Sequence, residues 1–475
     1  MAGQPLDEHI HDAAALVIDG NEVSRRTLAG MLREFGLRRI DQIDDPRDAS
    51  GALSARRYDI VLCDSHFEGA SLSGQELMDE LRQAGLLPLS SVVVMISGEG
   101  AYAQVAEAAE VALDAYLLKP HTMDALRLRL VAARERKRAL NEVITLVGEQ
   151  QFEAAADKAQ ALVGQRGLAW IQAARIAADL YLRLGQPKAS AAMLEEVLKS
   201  GALPWARLGL ARAQTEAGAV VKARRTLESL IADQPGYSDA YDVLGRVLFE
   251  QGHTADALAA LRKASSLTPH SPARLVKLGL MAFYFGDRAE ATACLGRAAQ
   301  LGATAKTFDL QGLVLLAALQ FDARDERGLG TAITLIARTR ANAPGSARLR
   351  RFEAVLSILL ALLQHQPVQA MPLLEGLLGE MSAPDFDFEA ATNLLMVLAR
   401  LDENELHLAD IDLHIDRLAQ RFAVSRSTVE LLCAALGSAG RAHADVVRTA
   451  YSAVCAHAER AVERSLAGEP GAAAT

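Results

Sequence analysis

Hydrophobic and polar positions follow two different periods along the first 120 residues of the chain. Short apolar runs of strand length lie at residues 13–18, 60–63, 92–96 and 116–118. Between them are stretches with the spacing of amphipathic helices, for example at residues 23–35, 74–83 and 102–110. Strands that alternate with helices of this length favour right-handed crossovers and a parallel sheet covered on both faces. We predict a doubly wound α/β domain over residues 1–122, with a five-stranded parallel sheet of which these runs mark four strands.

Polar residues follow four of the predicted strands directly: Asp19, Asp64, Ser97 and Lys119. The carboxyl ends of parallel strands share one edge of a sheet, and ligands of such folds bind there. Two carboxylates suit Mg²⁺, which prefers oxygen ligands. A hydroxyl and an ammonium group can balance the oxygens of a phosphoryl group. The four residues together predict a site for Mg²⁺ and phosphoryl chemistry.

Four strings of the sequence carry a family resemblance: LVIDGNEVSRRTL, YDIVLCDSHFEG, VVVMISGEG and DAYLLKP. With them, residues 13–130 resemble the receiver domain of two-component response regulators. The resemblance implies that Asp64 accepts a phosphoryl group from a histidine kinase or a phosphotransfer protein. It also implies a Mg²⁺ site formed by Asp19, Asp64 and the backbone carbonyl of His66.

The same resemblance assigns roles to the last two strands. It implies that Ser97 and Lys119 bind the phosphorylated carboxylate, and that the peptide bond between Lys119 and Pro120 is cis. Tyr116 matches the aromatic residue that turns inward as Ser97 moves. The face formed by the fourth helix, the fifth strand and the fifth helix of such domains is then expected to change on phosphorylation.

One residue departs from the family pattern. Receivers usually carry two acidic residues after the first strand, whereas here Asp19 is followed by Gly20. Gly20 stands at the position that normally touches the metal, and Asp19 matches the residue that acts mainly through a water molecule. Because affinity for a divalent cation follows the charge of its ligands, the loss of one carboxylate predicts weakened Mg²⁺ binding.

The pattern stays helical from Met123 onward, through the basic segment at residues 134–138. We expect the last helix of the α/β domain to continue unbroken as a connector, with the first repeat helix, over residues 123–150. The basic segment is interpreted as a solvated helix face rather than a nucleic-acid contact.

A period of 34 residues then appears, most clearly in Gly218, Gly252 and Gly286. Leucine and small residues repeat with the same period. The pattern resembles the tetratricopeptide repeat and predicts an all-α solenoid over residues 151–402. Its looser units are expected at residues 138–163, 168–199, 308–344 and 347–378, with a lengthened turn at 321–329. The concave face of such an array is expected to bind a protein or peptide ligand.

Residues 403–475 are expected to form further helices and a disordered tail. Within them, residues 415–429 resemble a DNA-binding helix-turn-helix. The continuation of this segment, ELLCAAL, is apolar and acidic and offers few groups to a DNA groove. DNA binding is therefore the weaker interpretation.

Composition limits the other possibilities. The net charge of −9 argues against broad binding to a phosphate backbone. The four cysteines are far apart and lack metal-ligand spacing, which indicates reduced thiols. Without a signal-peptide pattern or a membrane-length apolar run, the chain is expected to be soluble and cytoplasmic.

These features favour a two-component response regulator that acts as a phosphorylation-controlled protein-interaction adaptor. We expect no enzymatic activity, because no nucleophile and base pair, metal cluster or nucleotide motif follows Lys119. Two alternatives remain open: a constitutive scaffold with a degenerate receiver, and a DNA-binding transcriptional regulator.

Overall fold

The computed structural model of the chain describes residues 6–67, 74–98, 114–302, 308–403, 408, 410–437 and 441–466. Five strands form a sheet in the order β2-β1-β3-β4-β5, and all neighbouring strands are parallel. The strands are Ala14–Ile18 (β1), Arg39–Ile43 (β2), Ile60–Asp64 (β3), Val92–Ser97 (β4) and Ala115–Leu118 (β5). The predicted doubly wound fold is confirmed. The sequence pattern did not mark β2 because this edge strand is only partly buried.

Helices cover both faces of the sheet. On one face, Glu22–Glu34 (α1) and Met123–Ala139 (α4) bury leucines against β1, β3 and β4. On the other face, Ala49–Ala55 (α2) and Gly74–Gln83 (α3) pack on the opposite side chains of the same strands. The central strands are buried on both sides, which explains their continuous apolar sequences. The helix predicted at residues 102–110 lies outside the described residues.

The expected continuous connector helix is wrong in one respect. Helix α4 ends at Ala139, and Asn141–Gly148 (α5) begins two residues later. Leu140 lies between them, with φ −92° and ψ −1°. It is both the C-cap of α4 and the N-cap of α5. The interruption coincides with a change of core: Leu130 and Ala133 pack on the sheet, whereas Leu140 and Val143 pack with the first helical hairpin.

The rest of the described chain is helical. The helices of the repeat region are Phe152–Gln165 (α6), Trp170–Arg183 (α7), Pro187–Leu198 (α8), Pro204–Glu216 (α9), Val220–Asp233 (α10), Ser238–Glu250 (α11), Thr254–Leu267 (α12), Pro272–Phe285 (α13), Arg288–Gly302 (α14), Gln311–Asp322 (α15), Glu326–Asn342 (α16), Ala347–Leu363 (α17) and Pro367–Gly379 (α18). They are followed by Phe388–Glu403 (α19), Ile411–Phe422 (α20), Arg426–Leu436 (α21) and Arg441–Leu466 (α22). None of the described helices is both long enough and apolar enough to cross a membrane.

Each hairpin from α5/α6 to α17/α18 turns through one residue with positive φ. Four of these residues are glycines, with φ values of 70°, 74°, 80° and 126°: Gly185, Gly218, Gly252 and Gly286. The other three are Gln150 (61°), Arg324 (56°) and His365 (56°). The glycine period of 34 therefore revealed the hairpins of Gly218, Gly252 and Gly286. Gly185 lies 33 residues before Gly218, and the other three hairpins lack a glycine at the turn.

The predicted lengthened turn at residues 321–329 is wrong. These residues form the end of α15, a three-residue turn at 323–325 and the start of α16. The longer connection in this part of the sequence lies elsewhere, since eight residues separate Gly302, the end of α14, from Gln311, the start of α15.

The described chain divides into two compact units, one of residues up to 247 with 266–271, and one of residues 248–265 with those from 272 onward. In the first unit, alanines and leucines of α6 to α9 form one buried cluster. In the second unit, a larger cluster runs from α12 through α22. Small residues allow close helix packing there: a Cβ on Gly279 would lie 2.6 Å from the Leu295 side chain.

Candidate phosphoacceptor site

Three of the predicted site residues meet at the carboxyl edge of the sheet. The Lys119 ammonium lies 2.6 Å from Asp64 Oδ2 and 3.5 Å from Asp19 Oδ2. Asp19 follows β1, Asp64 ends β3 and Lys119 follows β5, so the parallel register aligns them at one edge. The Asp64 side chain is only 10% exposed, whereas Lys119 is 28% exposed. One cation thus bridges two buried carboxylates that are far apart in sequence.

The loop after β1 holds Asp19 through groups that sequence reasoning did not assign. Asp19 Oδ1 accepts a hydrogen bond from the Asn21 amide at 2.8 Å, and Oδ2 accepts one from the Ser24 hydroxyl at 2.5 Å. The Arg25 guanidinium donates to the Asp19 carbonyl oxygen at 2.7 Å. Asn21 also caps α1 by accepting from the Ser24 amide. The start of α1 therefore fixes the orientation of the Asp19 carboxylate.

At this edge, burial favours the neutral form of Asp64, whereas the Lys119 charge favours its ionised form. Burial raises the pKa of the Asp64 carboxyl, and the nearby Asp19 charge adds to the rise, although Lys119 works in the other direction. Burial alone would lower the pKa of Lys119, but Asp64 and Asp19 outweigh it, so that pKa is raised. Lys119 is therefore charged at neutral pH. The ion pair is the main compensation for burying Asp64.

His121 is a further residue of this edge that the sequence did not single out. Burial and the Lys119 charge lower the pKa of its imidazole. Its Nδ1 atom is buried and has no hydrogen-bond partner among the described residues. His121 directly follows Pro120, and the predicted cis peptide bond between Lys119 and Pro120 is present.

Ser97, Tyr116 and His66 occupy the predicted positions along the chain, and their roles stay predictions. Ser97 is buried at the end of β4, and its carbonyl accepts from the Lys119 amide at 2.6 Å. Tyr116 in β5 is half-buried against the cluster that contains Met95. The His66 side chain is exposed, and its amide lies 3.4 Å from Asp64 Oδ1. The fourth helix of the expected switching face lies outside the described residues.

Two glycines next to the site differ in the space around them. A Cβ on Gly74, the first residue of α3, would lie 1.9 Å from the Asp64 carbonyl oxygen. Gly74 is therefore required for the close approach of α3 to β3. A Cβ on Gly20 would meet only the Asp44 carbonyl oxygen, at an ordinary 3.7 Å. Nothing in the packing at Gly20 prevents a larger residue there.

The oxygen atoms at this edge suit a Mg²⁺ ion that is held by a small number of protein ligands. No group of three or more His, Cys, Asp or Glu side chains that could hold a metal occurs within the described residues. Mg²⁺, however, commonly binds through one or two carboxylates and keeps several water molecules. Asp19, Asp64 and the His66 carbonyl would supply such a set. Both Asp19 oxygens already accept hydrogen bonds, which agrees with a role for Asp19 through water.

The basic segment of α4 is not the solvated face that we expected. The Arg134 guanidinium donates to Asp7 at 2.6 Å, and Arg138 lies 2.8 Å from the same carboxylate. The Lys137 ammonium lies 3.0 Å from Asp114 Oδ1 and donates to the carbonyl of residue 89 at 2.6 Å; burial lowers the pKa of this amine. The basic side chains of this segment thus have acidic and carbonyl partners within the same domain. These partners account for the basic run without a contact to nucleic acid.

The helix-turn-helix-like segment forms α20, a three-residue turn and α21. Ser425 and Thr428 form a capping box at the start of α21. Val429, Leu432 and Leu436 are buried, and α21 packs against α13, α19 and α22. A recognition helix must present donors and cations to the major groove, whereas the exposed residues of α21 are Arg426 and Glu430, whose charges cancel. This packing disfavours the DNA-binding interpretation.

Comparison with known sequences agrees with this geometry. Residues 15–131 match the sequence model of the family described as response regulator receiver domain, and residues 181–247 match that of the tetratricopeptide repeat. The chain carries a receiver domain followed by tetratricopeptide repeats. Together the two modules support a response regulator with a protein-interaction role.

Individual relatives match the receiver domain. The sensor histidine kinase RcsC of Salmonella typhi is 34% identical over 128 residues, which are 27% of this chain and 13% of the kinase. The chemotaxis protein CheY-3 of Vibrio cholerae is 29% identical over 118 residues, which are 24% of this chain and 86% of that protein. Among solved structures, a thermophilic repeat protein of Thermus thermophilus is similar, with 26% identity, a TM-score of 0.31, and coverage of 39% of this chain and 97% of that one.

Proposed function

We propose that this chain is a response regulator whose receiver domain accepts a phosphoryl group on Asp64 and whose repeats bind a protein or peptide partner under its control. The supporting observation is the Lys119 ammonium, held 2.6 Å from the buried Asp64 carboxylate at the carboxyl edge of the sheet. Phosphoryl transfer needs such a fixed cation beside the accepting oxygen. The donor is a histidine kinase or a phosphotransfer protein, and the proposed location is the cytoplasm. In this proposal the chain carries no enzymatic output.

The site residues have distinct tasks in the transfer. An Asp64 oxygen attacks the phosphorus, and the bond from phosphorus to the donor's histidine nitrogen breaks. Lys119 moves its hydrogen bond from the free carboxylate to the acyl phosphate, and the Ser97 hydroxyl binds a phosphoryl oxygen. Asp19, Asp64 and the His66 carbonyl would hold Mg²⁺, which neutralises phosphoryl charge when bound. The hydrogen bonds from the start of α1 keep Asp19 oriented throughout.

The output path in this proposal starts at β5 and α4. Lys119 and Tyr116 lie on or beside β5, and α4 follows within the next five residues. Helix α4 leads through Leu140 into the first hairpin. Phosphorylation thus acts on the repeats through a covalently adjacent helix.

The direct test is the intact mass of the full chain after incubation with acetyl phosphate and Mg²⁺. We expect one added phosphoryl group on the wild type and none on Asp64→Asn. Asp44→Asn, which removes an exposed carboxylate near the same edge, is the matched control and should be labelled normally. Labelling of Asp64→Asn to the wild-type level would refute the assignment.

A constitutive scaffold is the second candidate, and one observation favours it. Gly20 supplies no carboxylate, so the metal site would have one acidic ligand fewer than receivers usually carry after the first strand. Hydrogen exchange on the full chain separates the two candidates. The adaptor requires that phosphodonor changes exchange in α4 to α6 of the wild type but not of Asp64→Asn. A labelled chain with unchanged exchange there would establish the scaffold instead.

A further inference from the structure

A polar cavity of about 370 Å³ lies in the second unit, far along the sequence from the phosphoacceptor site. Its volume falls in the range of small-molecule sites. Residues of five segments line it, including the ends of α15 and α17 and the residue after α21. The lining residues with an ionisable side chain are Arg288, Asp322, Arg324, His365 and Arg400.

The lining carries more positive than negative charge. Three guanidinium groups and one carboxylate give a net charge of +2 with neutral histidine. Arg400 is buried and forms a bidentate pair with Asp322, at 2.9 Å through Nε and 2.7 Å through Nη2. Arg288 donates through Nη1 to the same carboxylate. One carboxylate therefore faces two arginines, which leaves an excess of positive charge along the lining, where Arg400 is buried and Arg288 is exposed.

Arg324 adds a third guanidinium, which Asp322 does not bind within the described part of the chain. The two acidic residues that follow Arg324 in sequence are engaged elsewhere: Asp325 caps α16, and Glu326 accepts a hydrogen bond from Gln364. Arginine is well suited to planar oxyanions because its donors form a rigid fork. Arg324 is thus placed to bind an anion in the cavity.

The backbone conformation of Arg324 and His365 offers a matched substitution test. Both have φ of 56° at the turn position where four other hairpins carry glycine. Because glycine adopts this conformation without strain, it can replace either residue and remove only the side chain. Gln150 takes the same conformation in another hairpin but does not line the cavity.

The remaining wall is apolar. Phe321, Leu362 and Leu436 are buried and line the cavity together with Leu363. Such a wall accepts a hydrocarbon or ring next to the cationic end. We propose that this cavity binds a small organic anion, with its carboxylate or phosphate group near the arginines and its apolar part against Phe321 and the leucines. The proposal does not depend on phosphorylation of the receiver domain.

Calorimetric titration of the full chain in EDTA tests this site without metal-dependent chemistry at the receiver. The probes are phenyl phosphate and phenylacetate, which share a ring and differ in the oxyanion, with benzyl alcohol as the neutral analogue. We expect at least one anion to bind with one-to-one stoichiometry, and benzyl alcohol not to bind. The tighter of the two anions identifies the preferred oxyanion. Absence of binding by both anions, or equal binding of benzyl alcohol, would overturn the proposal.

Two glycine substitutions locate the binding. Arg324→Gly removes the guanidinium and restores the residue type that suits this φ, so the fold should be retained while affinity falls about tenfold. Gln150→Gly makes the same backbone change outside the cavity and should leave affinity unchanged. His365→Gly is a second cavity variant with a smaller expected loss. Wild-type affinity in both Arg324→Gly and His365→Gly would show that the anion binds elsewhere and overturn the assignment.

Discussion

The phosphoacceptor edge and the helical hairpins position their key residues by opposite means. Lys119 meets Asp19 across 100 residues of sequence, because the parallel sheet aligns the strand ends. A hairpin turn is fixed locally: around Gly218, the Ala219 amide bonds to the Gln214 carbonyl only five residues earlier. We therefore expect substitutions at the phosphoacceptor edge to act through distant contacts, and substitutions at a hairpin turn to act mainly within that hairpin.

The largest effect is expected for Gly74→Ala, which tests how the packing of α3 on β3 supports the phosphoacceptor edge. The new Cβ would lie 1.9 Å from the Asp64 carbonyl oxygen, so α3 must move away from β3. We expect a loss of about 3 kcal/mol in the opening free energy of β3 amides, measured by hydrogen exchange, together with loss of acetyl phosphate labelling. Gly51→Ala in α2, where a Cβ meets open space, is the control and should not destabilise β3. Equal protection of β3 in both variants would contradict the packing argument.

Close helix packing inside a hairpin gives the next effect. In Gly279→Val, the side chain would clash with Leu295, whose Cγ lies 2.6 Å from the position of a Cβ. We expect a loss of about 2 kcal/mol, measured by hydrogen exchange and confined to α13 and its neighbours. Gly296→Ala in α14, which faces open space, should be neutral or stabilising. If amides of the receiver domain also lost protection from exchange, the expected confinement of the effect to neighbouring helices would be contradicted.

Gly20→Asp tests the metal side of the phosphoacceptor edge. The substitution adds a carboxylate where the packing leaves space, and Mg²⁺ affinity should rise about tenfold in calorimetric titration. Gly20→Asn has a similar size without the charge and should not match this gain. Identical affinities of the two variants would place the metal away from Gly20.

Gly218→Ala measures the local cost of a turn. Its φ of 74° disfavours a Cβ, although open space surrounds it, so strain is the only expected penalty. We expect a loss of about 1 kcal/mol in urea unfolding followed by fluorescence of Trp205, which lies in the same hairpin. Gly201→Ala lies outside the helices of the array, in open space without a positive φ, and serves as the control. A loss of several times this size would indicate contacts beyond the turn.

The smallest effect is expected for the pH dependence of the ion pair at the carboxyl-terminal end of α4. Burial works against the Asp7 charge, but Arg134 and Arg138 outweigh it and hold the pKa of Asp7 below its usual value of 3.8. The pair therefore stabilises the fold above this pH and loses its contribution as pH falls through the lowered pKa. At pH 7, the free energy of unfolding of the wild type should exceed that of Asp7→Asn by about 1 kcal/mol or less, measured by thermal unfolding. This difference should shrink below about pH 4. A difference that grows on acidification would reverse the assigned sign.

The sequence predicted the parts of the molecule that have a short-range signature. Strand-end residues such as Asp64 and Lys119 follow recognisable apolar runs, and regular hairpins carry glycine at a fixed period. Arg324 and His365 have the same positive φ at the turn without being glycine, so the glycine period gave no signal at these two hairpins. The error at residues 321–329 arose because the wider spacing, which lies between the end of α14 and the start of α15, was assigned to the following connection.

Other features required the assembled fold. Gly74 looks like an ordinary helix residue until α3 is placed against β3. The basic run of α4 could not be assigned to ion pairs because Asp7 is 127 residues away from Arg134. The polar cavity depends on five separate segments, and no spacing in the sequence brings its three arginines together.

The ion pairs of α4 also have a mechanical consequence. Asp7, Leu89 and Asp114 precede strands, so they hold the far end of α4 at the amino edge of the sheet, opposite Lys119. The chain enters the first hairpin through Leu140, directly after this anchored end of α4. In the proposed adaptor, a signal that starts beside Lys119 therefore reaches the repeats past an end of α4 that these contacts hold to the sheet.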